Sequence, residues 1–325
     1  MGRIAAFFEG EDWFHPDIPS AIILSEFDGD VADNGGQVVY DEIVMQARNH
    51  SMASFVYLHG ANHNYFSRYH QRDDGTFQAP EVRRLSRAEQ EDFLAHYAAA
   101  FLTVVTGERI PWGTFNPSQP QPNAMFGHSV TASTYLSGLQ RIVAVPSPSS
   151  AAQVSAAGFA TVAFYMQRWN ADGLFNHPGV INLPDEQLPL YDLQWTGAGA
   201  VSFPTENGDF AGHQAISLYV AMDSSSALNP AKANQAFTVT LTDDTGTARS
   251  VVIPAGTAAL SRHHGYETYD EWMARPMWVG NTPLGELRVP LAYFDGLNIA
   301  AIASLTIRFD QTPSGAVMLS GMFLK

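Results

Sequence analysis

The sequence predicts two architectures in series: an α/β unit, then an all-β region of antiparallel, jelly-roll-like sandwich type. Three observations carry this. Short apolar runs alternate with amphipathic helical stretches from Ile18 to about Gly107, the rhythm of strands interleaved with helices. That rhythm stops in a segment holding Pro111, Pro117, Pro120 and Pro122, whose fixed φ angles and missing N–H groups suit a connector. Beyond it, period-two hydrophobic alternation recurs in run after run. The implied boundaries are an α/β unit over 1–109, a connector over 110–124 and a β-sandwich over 125–325.

The first element is the run Ser20-Ala-Ile-Ile-Leu-Ser-Glu-Phe27. Continuous and β-favouring, ended by an Asp/Gly cluster, it reads as a buried strand. A helix follows over about 36–48, with Val39, Ile43 and Ala47 spaced to form one apolar stripe. Ala53-Ser-Phe-Val-Tyr-Leu-His-Gly60 is a second buried strand, and it delivers the polar turn Ala61-Asn-His-Asn64 to a sheet edge. After a polar stretch over 68–84, Ser86-Arg-Ala-Glu89 fits a capping box. The helix it starts carries Phe93, Tyr97, Phe101 and Val105 every fourth residue and ends at Gly107.

In the β region the runs 141–146 and 159–165 come first. Strict alternation then appears at Ile216, Leu218, Val220, Met222; at Phe237, Val239, Leu241; at Leu287, Val289, Leu291; at Leu305, Ile307, Phe309; and at Val317, Leu319, Gly321, Phe323. Mostly polar residues between them predict strands with one face in a core and one in solvent. Turn sequences such as Asp243-Asp-Thr-Gly246 and Pro313-Ser-Gly315 separate the runs.

Composition narrows the function. With 32 acidic against 17 basic residues and a formal charge of −15, the chain repels nucleic acid and anionic membrane. The absence of cysteine removes disulfides, thiolate metal sites and a cysteine nucleophile together. The start, Met1 to Asp17, carries one Arg and then acids, which is neither a signal peptide nor a membrane span. The compartment stays open, and the chain reads either as cytoplasmic or as lacking its natural beginning.

Two motifs at strand ends carry chemistry: Phe27-Asp-Gly-Asp-Val31 after the first strand and His59-Gly-Ala-Asn-His-Asn64 after the second. A carboxylate that accepts the Nδ1–H of an imidazole fixes its tautomer and stabilises the imidazolium, leaving the other nitrogen to act as a base. Asp28 or Asp30 can supply the carboxylate and His63 the imidazole. Asp28 is favoured, with Asp30 then binding the amides of its own turn.

The stretch from Ile18 to about Gly107, with its DGDV and GANHN turns, resembles the C-terminal part of bacterial α/β hydrolases, a group including esterases and cutinase-like polyester hydrolases. The resemblance implies a partial hydrolase sheet, an ester substrate, a triad acid at Asp28 or Asp30, a triad histidine at His63, and secretion or surface location. It covers under a third of the chain. No G-x-S-x-G nucleophile elbow precedes Asp28, so the resemblance also implies a truncated enzyme, inactive alone, whose serine comes from an N-terminal hydrolase segment or a partner chain. Ser129, in Gly127-His-Ser-Val-Thr131, could serve only in permuted order. The prolines before it cannot form the buried strand an elbow needs, so it reads as part of the first sandwich strand.

The alternative is a non-catalytic sandwich that binds polysaccharide or another surface, using Trp195, Trp272 and Trp278 as stacking platforms. No cofactor and no metal site is read. His59 and His63 lack a carboxylate to complete a close set, His263-His264 reads as an exposed polar loop, and calcium at Asp223 or Asp243 has no supporting spacing.

Overall fold

The computed structural model describes residues 18–29, 35–46, 51–74, 83–107, 113–136, 139–168, 187–230, 232–263, 266–270, 275–279 and 282–325. The first strand, β1 (Ser20–Ser25), leads through helix α1 (Gly35–Gln46) to β2 (Ala53–Leu58), which pairs with it in parallel. Helix α2 (Arg87–Val105) starts at the predicted capping box, with Ser86 and Glu89 each bonding the other's backbone, and Gly107 follows it at φ +82°. Its face of Phe93, Tyr97 and Phe101 is buried, and Phe93 and Tyr97 pack in one cluster with Val56 and Leu58 of β2.

The next two strands, β3 (Ala124–Met125) and β4 (His128–Tyr135), correct the predicted boundary. β4 pairs antiparallel with β2, so the first sheet runs β1-β2-β4-β3. Ser129 therefore stands on the exposed start of a strand of this sheet and not in the sandwich. The alternation of Val130 with Ala132 reads equally well in either sheet, since the hydrophobic period is the same.

The sandwich is built from β5 (Gln140–Arg141), the short helix α3 (Pro148–Ala151), β6 (Ser155–Arg168), β7 (Gln187–Pro204), β8 (Ala215–Met222), β9 (Phe237–Asp243) and β10 (Ala248–Ile253). After a separate two-stranded ribbon, β11 (Tyr266–Asp270) and β12 (Arg275–Val279), come β13 (Gly285–Pro290), β14 (Ile302–Phe309) and β15 (Gly315–Leu324). The 18-residue β7 is shared between two layers. Its first half pairs with β15, which continues to β8 and β13, and its second half pairs with β14, which continues to β9 and β10. The two inner faces meet in one core holding Leu218, Val220 and Leu287 from one layer and Val239, Leu241 and Ile307 from the other. The described part of the run 141–146 is strand only at Arg141.

The two outer faces differ. Every residue of β8 and of β13 is buried, because the first sheet and α1 cover that layer. Tyr219 and Phe323 pack with Tyr40, Phe55 and Tyr135 in a single cluster, and the Tyr40 and Tyr219 hydroxyls are 3.0 Å apart. β14 instead alternates buried with solvent-facing positions, and five of the six residues of β10 lie away from full burial. One face of the sandwich is thus sealed and the other open.

A buried ionic cluster centres on Glu286. The Arg288 guanidinium grips Glu286 through Nε at 2.8 Å and Nη2 at 3.1 Å, and donates to the carbonyls of Gly113, Thr114 and Asn116 at 2.9–3.0 Å. Glu286 also accepts from Lys325 Nζ at 2.6 Å, from Thr134 N at 2.9 Å and from Ser217 Oγ. The connector is therefore held onto the sandwich by a buried charge.

Candidate functional site

Parallel pairing of β1 and β2 sets Ser25 beside Leu58, so the segments leaving both strands emerge side by side. Asp28, 6 % exposed, and His63 meet there, with Oδ2 of the carboxylate 3.1 Å from Nδ1. His63 begins a one-turn 3-10 helix over Asn64–Phe66, and the buried Asn62 beside it accepts from Tyr65 N at 2.9 Å and donates its own N–H to Gln90 Oε1 at 3.0 Å. The histidine turn is thus anchored to α2.

A residue outside both motifs ties the two turns together. Asp74 accepts from Gly29 N at 3.2 Å through Oδ2 and from Asn64 N at 3.1 Å through Oδ1. A Cβ at position 29 would come 1.7 Å from the Asp74 carbonyl oxygen, so this close approach requires glycine. Asp30 lies outside the described residues.

Just below is a second group that the sequence does not announce. Glu26 follows β1 and His59 follows β2, and their side chains approach to 3.6 Å between Oε2 and Nδ1. His263 arrives from beyond β10, only 3 % exposed, its backbone N–H donated to Ser224 Oγ at 3.0 Å. The His59 and His263 rings stack at 5.5 Å, and Tyr57 stands edge-on to both. Burial by itself would raise the Glu26 carboxyl. The hydrogen bond and charge of His59, the N–H of Gly60 and the charge of His263 outweigh it and hold the group at about 2. This corrects two sequence expectations: a carboxylate does complete the set around His59, and His263 is buried against His59 although 203 residues separate the two in sequence.

The third feature is the open outer face of the β10-β9-β14-β7 layer, where β6 adds a further strand. It carries a shallow groove of about 520 Å³, lined by Ala157, Gly158, Ala198, Gly199 and Ala200 together with Thr240, Thr306, Arg308 and Asp310. Hydroxyls pair between neighbouring strands of this layer, Ser202 with Thr306 and Thr240 with Ser250, both at 2.8 Å. Phe159, next after Gly158, is 67 % exposed and lies over Gly197.

Trp195 does not line this groove. Trp195 is a core residue, 1 % exposed, stacked on Phe309 at 4.2 Å with Nε1 donating to the Thr312 carbonyl at 3.2 Å. That removes it as a sugar platform. Trp278 stands on β12, and Trp272 lies outside the described residues. Asp243 closes its own turn, accepting from the N–H groups of Thr245 and Thr247 at 3.0 and 2.9 Å.

No family model matches the chain. No curated protein matches it either. Among solved structures it is similar to the family 11 carbohydrate-binding module of the cellulosomal cellulase Lic26A-Cel5E of Clostridium thermocellum, at 10 % identity over 53 % of this chain and 85 % of that one, with a TM-score of 0.29. A solution structure of CtCBM11 matches at 11 % identity over 57 % of this chain and 94 % of that one, TM-score 0.32. The C-terminal family 22 carbohydrate-binding module of Clostridium thermocellum Xyn10B matches at 13 % identity over 53 % and 83 %, TM-score 0.26.

The expected α/β-hydrolase membership is corrected. The described residues are mostly antiparallel β-sheet, with one parallel strand pair and three α-helices. The strand-turn pattern around DGDV and GANHN specifies two adjacent strand ends, and that arrangement is not confined to hydrolases. The all-β, jelly-roll-like part of the expected fold stands. Among the described residues no helix is long and apolar enough to cross a membrane.

Proposed function

We propose that this chain is a non-catalytic polysaccharide-binding protein whose ligand lies on the open outer face of the β10-β9-β14-β7-β6 layer. The observation that carries the reading is the asymmetry of the sandwich. One outer face is covered by the first sheet and α1, while the other keeps a groove lined by small side chains, by the hydroxyls of Thr240, Thr242 and Thr306, and by the charged Arg308 and Asp310. A small molecule is normally enclosed by its site. An open groove suits a polymer that gathers many weak contacts. Ala and Gly let the C–H faces of sugar rings approach the sheet, and Thr, Arg and Asp offer the donors and acceptors that sugar hydroxyls need. Phe159, exposed next to Gly158 of the groove, supplies an aromatic ring. The charge of −15 favours a neutral glycan over an anionic one.

Retention on a panel of insoluble and gel-embedded neutral glycans tests this. At least one glycan is expected to retain the wild type, with retention weakened at least several-fold by Arg308→Ala and abolished by Ala200→Trp, which fills the groove. Equal retention of both variants, or none of the wild type, contradicts the reading.

We assign no reaction to Asp28 and His63. Without a nucleophile delivered to it, the imidazole forgoes acyl-enzyme formation. The chain is expected to hydrolyse p-nitrophenyl acetate no faster than His63→Ala. Stoichiometric labelling by a fluorophosphonate, lost in Ser129→Ala, would overturn this.

A further inference from the structure

We propose that Glu26, His59 and His263 form a binding site for a divalent transition-metal ion of zinc type, which clamps the β1-β2 sheet to the sandwich. The three residues come from three separate segments: the ends of β1 and β2, and the loop after the 3-10 turn over Ala258–Leu260. One donor atom from each lies within 4.8 Å of the other two. A tetrahedral zinc ion with bonds of about 2.0–2.2 Å sets its donors roughly 3.3–3.5 Å apart, so side-chain adjustment closes the set without moving the backbone.

The surroundings are those of a prepared site. His59 Nε2 lies 3.0 Å from Thr131 Oγ1; donating its proton there leaves the Nδ1 lone pair aimed at the Glu26 side, the arrangement in which an outer partner orients a ligating imidazole. Glu26 Oε2 is steadied by Gly60 N–H at 2.7 Å. Tyr57, 1 % exposed, walls the site edge-on, lowering the local dielectric and strengthening the attraction of a carboxylate for a cation. Two imidazoles and one carboxylate suit zinc and its neighbours, whereas calcium and magnesium call for oxygen sets. The fourth position is left for water. The inference is independent of glycan binding, because the site lies on the sealed side of the molecule.

The test uses the full chain, stripped with EDTA, titrated with zinc sulfate alone by calorimetry and with cobalt(II) by visible absorption. One equivalent of zinc is expected to bind, raising Tm, and cobalt is expected to give the intense d–d bands of a four-coordinate site. Thr131→Val keeps all three ligands and should weaken binding by about 10-fold to 100-fold; His263→Ala and Glu26→Gln should weaken it further, and the exposed His70→Ala not at all. Failure of the natively folded wild type to bind one equivalent at micromolar zinc would overturn the proposal. So would cobalt bands of a six-coordinate ion, or affinity unchanged by Thr131→Val. The cobalt spectrum and Thr131→Val decide the matter even if a ligand variant does not fold.

Discussion

Glu286→Gln is expected to cost about 3–5 kcal/mol of folding stability, the usual penalty for removing one partner of a buried ion pair. The glutamine keeps the shape but leaves Arg288 and Lys325, 3 % and 9 % exposed, without their counter-charge. Burial opposes ionisation of Glu286, yet the charges and hydrogen bonds of Arg288 and Lys325 hold its carboxyl well below the usual carboxylate range. Burial also pushes the Lys325 ammonium down to about 7, against the pull of Glu286, so the forked Arg288 is the dominant partner. A carboxylate with a depressed folded pKa contributes stability that is full above its unfolded value, 4.5, and is lost as pH falls below it. Chemical denaturation at pH 7 and pH 3.5 should therefore show a steep acid loss in the wild type and a shallower one in Glu286→Gln. Against a total stability of about 5–15 kcal/mol, the variant is expected to be near the edge of folding at either pH. A loss under about 1 kcal/mol would show that water reaches the cluster.

Trp195→Ala is expected to cost about 3–5 kcal/mol, the range for removing a large aromatic from a core. The ring is stacked on Phe309, and Gly315 leaves room for it: a Cβ there would come 2.2 Å from Trp195 Cζ2. Trp195→Phe keeps part of the stack while losing the hydrogen bond to Thr312, so a smaller loss is expected. Trp195→Phe should also bind glycan as the wild type does, since the residue has no exposed face to offer a sugar. Equilibrium denaturation together with glycan retention checks both halves. Wild-type stability in Trp195→Ala, or loss of retention in a folded Trp195→Phe, would return this residue to the ligand site.

Much of the secondary structure was legible from period and caps. Ser86 and Glu89 predicted the start of α2, and Leu305, Ile307 and Phe309 predicted β14, because each rests on local spacing. Layer assignment was not legible. Ser217, Tyr219, Glu286 and Arg288 alternate with core residues and read as a solvent face, yet all are buried, since what covers them is another sheet more than 80 residues away in sequence. Asp28 and His63 could be paired from the sequence because both follow strands that run parallel and adjacent. Asp74 and His263 could not, because each reaches its partners through a loop whose path no spacing encodes. Trp195 shows the opposite error: tryptophan suggests stacking by its chemistry alone, while its position in strict alternation with Leu193 and Tyr191 already marked it as inward-facing.

Alanine-methyl NMR of the labelled chain, titrated with a soluble oligosaccharide of whichever glycan retains it, locates bound glycan on or off the open outer face. Ala157, Ala198, Ala200 and Ala248 line the groove, whereas Ala53, Ala61 and Ala132 are buried in the first sheet and its flank. Saturable shifts are expected in the first group and unmoved signals in the second. Shifts confined to alanines outside the groove, or groove methyls unmoved at a concentration that saturates binding, would contradict glycan binding on that face.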